Sequence, residues 1–133
     1  MGAQANLSNG NEVLGFGLDS VVIAHYVGGI AGGRTLDVTG FNEEVIKAGH
    51  IVIRSTSDDT VFKPMPVSGT AYGTLPTGYE YVGVVVSTVS AKQPVVAIMN
   101  SGEVNDAAMP FEMSSAMKTA VKEAVPTLIF IHA

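Results

Sequence analysis

The chain has no cysteine in its 133 residues. That excludes disulfides, thiolate nucleophiles and the usual cysteine-bound structural zinc, and it fits assembly in a reducing cytoplasm. Charge is scarce as well: 14% of residues are Asp, Glu, Lys or Arg, and the net charge is −5. The seven Lys and Arg residues are scattered, so the clustered positive charge that a nucleic-acid binder needs to displace counterions is missing. Long apolar runs are missing too. Residues 21–27 fall well short of the roughly 20 residues that span a bilayer, and His25 interrupts them. No basic stretch leads into an apolar one near the N-terminus, and Asn6 stands where a myristoylation site requires Ser or Thr. Together these absences predict a protein made in the cytoplasm that binds neither nucleic acid nor membrane.

Hydrophobic residues, by contrast, make up 47% of the chain. A chain of this length folds as one domain with a real core, yet a small domain has too much surface to hide so much apolar area internally. Part of that area is therefore expected in a contact with further copies of the chain or with another protein.

Near the N-terminus, Leu14, Phe16 and Leu18 alternate with Val13, Gly15 and Gly17. This period of two predicts a short strand with one sticky face, which makes Val13, Leu14, Phe16 and Leu18 the candidate partner-binding residues. Residues 20–27 read as a second strand, and the glycine-dense residues 28–33 break it. Asn42 is placed to cap a helical turn that ends at Gly49. Ile51-Val52-Ile53 and Thr60-Val61-Phe62 flank the turn residues Ser57-Asp58-Asp59, as paired strands do. Residues 67–78 read as a long Gly/Thr/Pro loop, and residues 81–89 and 94–99 as a strand pair across residues 90–93. The convincing helix is residues 112–125. There Met113, Met117, Ala120, Val121, Ala124 and Val125 share one face, Ser114 is placed to cap, and Pro126 stops it. Residues 128–131 return to strand. The expected fold is mainly β (α+β): a compact barrel-like or sandwich domain over residues 41–133, one amphipathic helix near the C-terminus, and a partly extended, partner-binding arm over residues 1–40.

Few motifs carry chemistry. Gly28-Gly29-Ile30-Ala31-Gly32-Gly33-Arg34-Thr35 has the spacing of a phosphate loop. However, Arg34 replaces the compact lysine, and Leu36-Asp37-Val38 looks like strand where a helix N-terminus should face the anion. His25, His50 and His132 lie far apart without ligand spacing, so strand or surface positions are expected for them and no metal. There is no G-x-S-x-G elbow, and Ser101-Gly102-Glu103 is not one. Asp58-Asp59 and Glu43-Glu44 are adjacent pairs, which point apart on strands and helices and make poor acid–base partners. Met109, Met113 and Met117 are read as core filling. The sequence predicts no enzyme and no cofactor.

One resemblance rests on order. Tyr81-Val82-Gly83-Val84-Val85 is followed by Pro94-Val95-Val96-Ala97-Ile98-Met99, then Gly102-Glu103-Val104-Asn105 and Ala107-Ala108-Met109, then a helix with Lys118 and Val121-Lys122-Glu123-Ala124, and an apolar terminus. This order resembles the phage head (capsid) decoration proteins of the lambda D type and related phage head-fibre modules. Ile46-Lys47-Ala48-Gly49-His50-Ile51-Val52-Ile53 is similar to the segment that opens the β domain in that family. The resemblance covers residues 45–133. It implies a virion protein, made in the host cytoplasm, that sits as a trimer on the outer capsid surface, binds the major capsid protein and cements the shell, with the N-terminal segment adding a strand to a capsid sheet. The N-terminal forty residues are longer and more apolar than a simple arm, which leaves open a capsid-anchored head-fibre base. A small-ligand-binding β domain is the alternative from a different class.

Overall fold

Val and Ile recur in the segments around residues 51–55, 79–86 and 95–104, joined by Tyr79 and Tyr81, and these segments form strands because branched and aromatic side chains pack well on a pleated surface. The computed structural model of the chain describes residues 19–30 and 33–132. A single helical turn α1 (Asp19–Val22) runs into β1 (Ile23–Gly29). Short strands β2 (Arg34–Thr35) and β3 (Val45–Ile46) lead to β4 (Ile51–Ser55) and β5 (Phe62–Pro64). A small hairpin of β6 (Val67–Ser68) and β7 (Ala71–Tyr72) precedes the long β8 (Tyr79–Val85). Then come β9 (Val89–Ser90), β10 (Val95–Val96) and β11 (Ile98–Asn105). A 3-10 turn (Asp106–Ala108), the helix α2 (Ser115–Ala124) and β12 (Leu128–Ile131) complete the domain.

The main sheet has the order β1-β11-β8-β4-β5, with β12 joined in parallel to β11; the ribbons β2–β10, β3–β9 and β6–β7 flank it. The expected mainly β domain with one helix near the C-terminus is present. It is sandwich-like and does not close into a barrel. Its sheet centre is buried on both faces. Ile51, Ile53, Val84 and Met99 pack with Met117, Val121 and Leu128 on the α2 side. Val52, Val85 and Ile98 pack with Leu36, Ile46, Phe62 and Val96 on the other. Period-two geometry sends neighbouring side chains to opposite layers, which explains why these strands read as unbroken apolar runs. Each large aliphatic side chain so buried contributes about 1.5–3 kcal/mol.

Local chemistry sets the boundaries of α2. Ser114 Oγ accepts the Met117 N–H at 3.1 Å, so the helix starts at Ser115 and not at residue 112. Met117, Val121 and Val125 are its buried positions, and Pro126 follows its end. Met109 and Met113 pack against the same core.

Other segments depart from the sequence expectation. Residues 19–22 are helical, so the strand begins only at Ile23. No helix follows Asn42: residues 42–44 are exposed and lead into β3, because Ile46, fully buried, registers with Val89 of β9. Residues 67–78 contain the β6–β7 hairpin, which turns at Gly69 with φ +67°. Residues 94–99 split at Ala97: β10 turns to pair with β2, and only Ile98 and Met99 register with β8.

Candidate interaction site and buried polar groups

The candidate partner-binding residues Val13, Leu14, Phe16 and Leu18 lie outside the described residues. The described chain starts at Asp19, and that carboxylate is tied down. Its Oδ2 accepts the Thr88 N–H at 2.9 Å and its Oδ1 accepts the Thr88 hydroxyl at 2.7 Å. The Thr88 oxygen in turn accepts the Ala48 N–H at 3.1 Å. Three residues later Val22, 2% exposed, packs over Gly49. Gly49 has φ +88°, and a Cβ there would overlap the Val22 side chain, so only glycine suits both the turn and the contact. A cleft of about 240 Å³ lies beside this clamp, lined by Lys47, Ala108, Met109 and Pro110 among others.

Next to the clamp is the largest departure from the expected surface. His50 is 1% exposed. Phe41, Tyr72 and Phe111 stand edge-on to its ring, with centroids 5.4, 5.2 and 5.6 Å away. Nε2 lies 2.9 Å from the Met65 carbonyl; a carbonyl only accepts, so Nε2 carries the proton. Burial pulls the His50 pKa down to about 4, against a weaker upward pull from the Met65 hydrogen bond. The ring is therefore neutral at pH 7 and acts as a polar strut between β4 and the Met65 backbone. The Tyr72 hydroxyl accepts the Ile51 N–H at 3.0 Å, and burial raises its pKa well above the usual phenol value. The sequence reading missed both roles. The ring's four partners come from residues 41, 65, 72 and 111, and only the apolar run after His50 pointed to burial.

A second polar cluster ties the C-terminal strand to the helix. Asp106 accepts from Lys118 Nζ, and its Oδ1 lies 2.6 Å from His132 Nδ1. Burial works against the Asp106 charge, but the hydrogen bonds and charges of Lys118 and His132 outweigh it and hold the pKa below the usual carboxylate value. Lys118 Nζ also lies 5.9 Å from the Phe130 ring centroid.

The motifs weighed for chemistry end up apart. Arg34, at the close of the glycine-rich stretch, lies in a strand with its guanidinium carbon 5.5 Å from the Phe62 ring centroid; its buried Nε has no hydrogen-bond partner among the described residues. Ala31 and Gly32 lie outside the described residues. His25 is exposed on β1, His50 is in the core and His132 caps the Asp106 cluster. Asp58 Oδ1 accepts from the Thr60 N–H and hydroxyl, which closes the turn between β4 and β5. Ser101-Gly102-Glu103 lies within β11. Among the described residues no group of three or more His, Cys, Asp or Glu is arranged to hold a metal, and no helix is long and apolar enough to cross a membrane.

Among the described residues the large exposed apolar side chains are spread over four elements: Val21 of α1, Tyr26 and Val27 of β1, Val95 of β10 and Ile129 of β12, each 45–62% exposed. No match to the chain was found among protein-family models, curated proteins or solved structures.

Proposed function

We propose that this chain is a phage capsid-decoration protein that binds the outer surface of the assembled shell as a trimer and stabilises it. One observation carries the reading. Most of the ordered words that resemble the lambda D type fall on β8, β11, α2 and β12, which contribute to one shared core, while Pro94-Val95-Val96 falls on β10 and packs in the second layer behind them. A word order that maps onto one packed unit is harder to meet by chance than words scattered over the fold.

The clamp at Asp19 supports the division of labour. Residues 1–18, with Val13, Leu14, Phe16 and Leu18, are the proposed attachment strand for the major capsid protein. Any segment gripped by a capsid sheet pulls on the domain through Asp19, whose two carboxylate oxygens are both held by Thr88. Stabilisation then follows by mass action: a ligand that binds the assembled shell and not its free subunits disfavours disassembly. Several arms per trimer offset the ordering entropy of each through high effective concentration.

Sedimentation with shells tests the reading. The protein is expected to co-sediment with expanded empty shells and not with free capsid subunits, and deletion of residues 1–18 is expected to leave a folded domain that stays in the supernatant. Absence of shell binding by the full chain sinks the proposal; binding that survives the deletion moves attachment to the β domain.

A further inference from the structure

The main sheet has edges of two kinds. At one end β5 carries Lys63 and Pro64. These are residue types that natural sheets place on open edges, because a charge resists burial and proline cannot donate to a ladder. Elsewhere β1 reads Ile-Ala-His-Tyr-Val-Gly-Gly and β12 reads Leu-Ile-Phe-Ile, with no Lys, Arg, Asp, Glu or Pro in either. Among the described residues β1 and β12 each pair with β11 alone. Each therefore keeps one row of backbone N–H and C=O groups that no described strand pairs with; neither carries the charge or proline that guards an open edge, and the register shifts of β1 are its one protective device.

Exposure points the same way. A strand on a sheet with one wet face exposes every second residue. In β1 the four consecutive residues Ala24, His25, Tyr26 and Val27 are all exposed, with Tyr26 at 51% and Val27 at 62%. Both faces of the middle of β1 thus lack cover from the described chain. On β12, Ile129 is 55% exposed.

We infer that β1 of one copy pairs with β12 of the next, so that the chain self-associates head to tail by strand addition. The register names the occupant. Gly102 of β11 is opposite Tyr26 of β1 and also opposite Leu128 of β12, so the two unguarded edges lie on opposite sides of one strand. Every copy then presents both halves of the contact, and pairing copy to copy consumes both edges. A foreign strand covers one edge and leaves the other open. Contacts of this heterologous kind generate a closed ring when the rotation per copy divides a full turn. That the ring holds three copies rests on the decoration reading; the edge pairing does not.

The test uses the full chain and two surface variants, Val27→Lys on β1 and Ile129→Lys on β12, with mass measured by light scattering across a concentration series. The wild type is expected at a multiple of the 13.8 kDa chain mass, threefold for a trimer, and each variant at the single-chain mass with an unchanged circular dichroism spectrum. A mixture of the two variants at the highest soluble concentration is expected to form a two-chain species, because each contributes the edge the other has lost. A wild type at single-chain mass throughout overturns the inference and assigns the cover of β1 to residues outside the described ones or to another protein. Variants that keep the wild-type mass also overturn it, as does an effect confined to Val27→Lys, the mark of symmetric β1–β1 pairing. A protein that assembles but ignores shells sinks only the decoration reading; one that binds shells as a single chain sinks only this one.

Discussion

The centre of the sheet and its β1 flank are built from similar residues and end up in opposite conditions. In β4, Ile51, Val52 and Ile53 are fully buried, with core on both faces. In β1, an equally β-prone run leaves Tyr26 and Val27 half or more exposed, and its ladder to β11 has three register irregularities. Propensity cannot tell the two apart, since it reports how a side chain fits a pleated surface and not what lies above it. The difference is the number of layers the chain itself supplies. At the centre, α2 and the β2–β10 and β3–β9 ribbons provide both; at the flank, the described residues provide neither.

Truncation gives the most direct way to break that comparison. Ile53→Ala is expected to cost about 4 kcal/mol by denaturant unfolding, because it removes buried contacts and leaves a cavity in a packed layer. Val27→Ala, measured in the same way, is expected to stay within about 0.5 kcal/mol in the separated chain. Equal losses at both sites would show that β1 is as well packed as β4.

Acid probes the buried centre alone. Unfolded, His50 titrates near its ordinary value of 6.5; folded, it stays neutral down to about pH 4. Its contribution is therefore complete above about pH 6.5. As pH falls from there toward 4, the unfolded chain takes up a proton that the folded one refuses, and stability drops by about 3 kcal/mol. His50→Phe is expected to flatten that part of the pH profile. It also costs about 1–3 kcal/mol at pH 7, since the Met65 carbonyl loses its partner. A wild-type profile that stays level between pH 6.5 and 4 would count against the buried neutral ring. The depressed pKa of Asp106 adds a further loss only at lower pH, as that carboxylate protonates.

A smaller loss than either buried-centre variant is expected at the junction between the two regions. Asp19→Ala removes both hydrogen bonds to Thr88 and is expected to lower thermal stability by about 2 kcal/mol. The loss should appear first as faster amide exchange in β1, with β4 and β8 still protected.

What could be read from the sequence follows from how local each feature is. Ser114, the Met117/Val121/Val125 spacing and Pro126 lie within thirteen residues, and together they gave the helix to within three residues at its start. The turn at Asp58 between β4 and β5 was equally local, closed by an aspartate bonding two residues ahead. The split at Ala97 was not, because it depends on β10 meeting Arg34 and Thr35, some sixty residues earlier. Nor was the cage around His50, whose walls are Phe41, Tyr72 and Phe111. Asp19 carried no sequence sign of its role, since Thr88 is 69 positions away. The proposed attachment residues Val13, Leu14, Phe16 and Leu18 were chosen on alternation alone.

The register of β1 has a further consequence during synthesis. Ile23 meets Val104, so β1 leaves the ribosome roughly eighty residues before its only described strand partner exists. At ordinary elongation rates of about 5–20 residues per second, that interval lasts on the order of 4–16 seconds. Throughout it, an uncharged, proline-free strand waits on a nascent chain, beside other chains growing on the same message. The timing of β11 thus sets how long that edge stays open in each new chain.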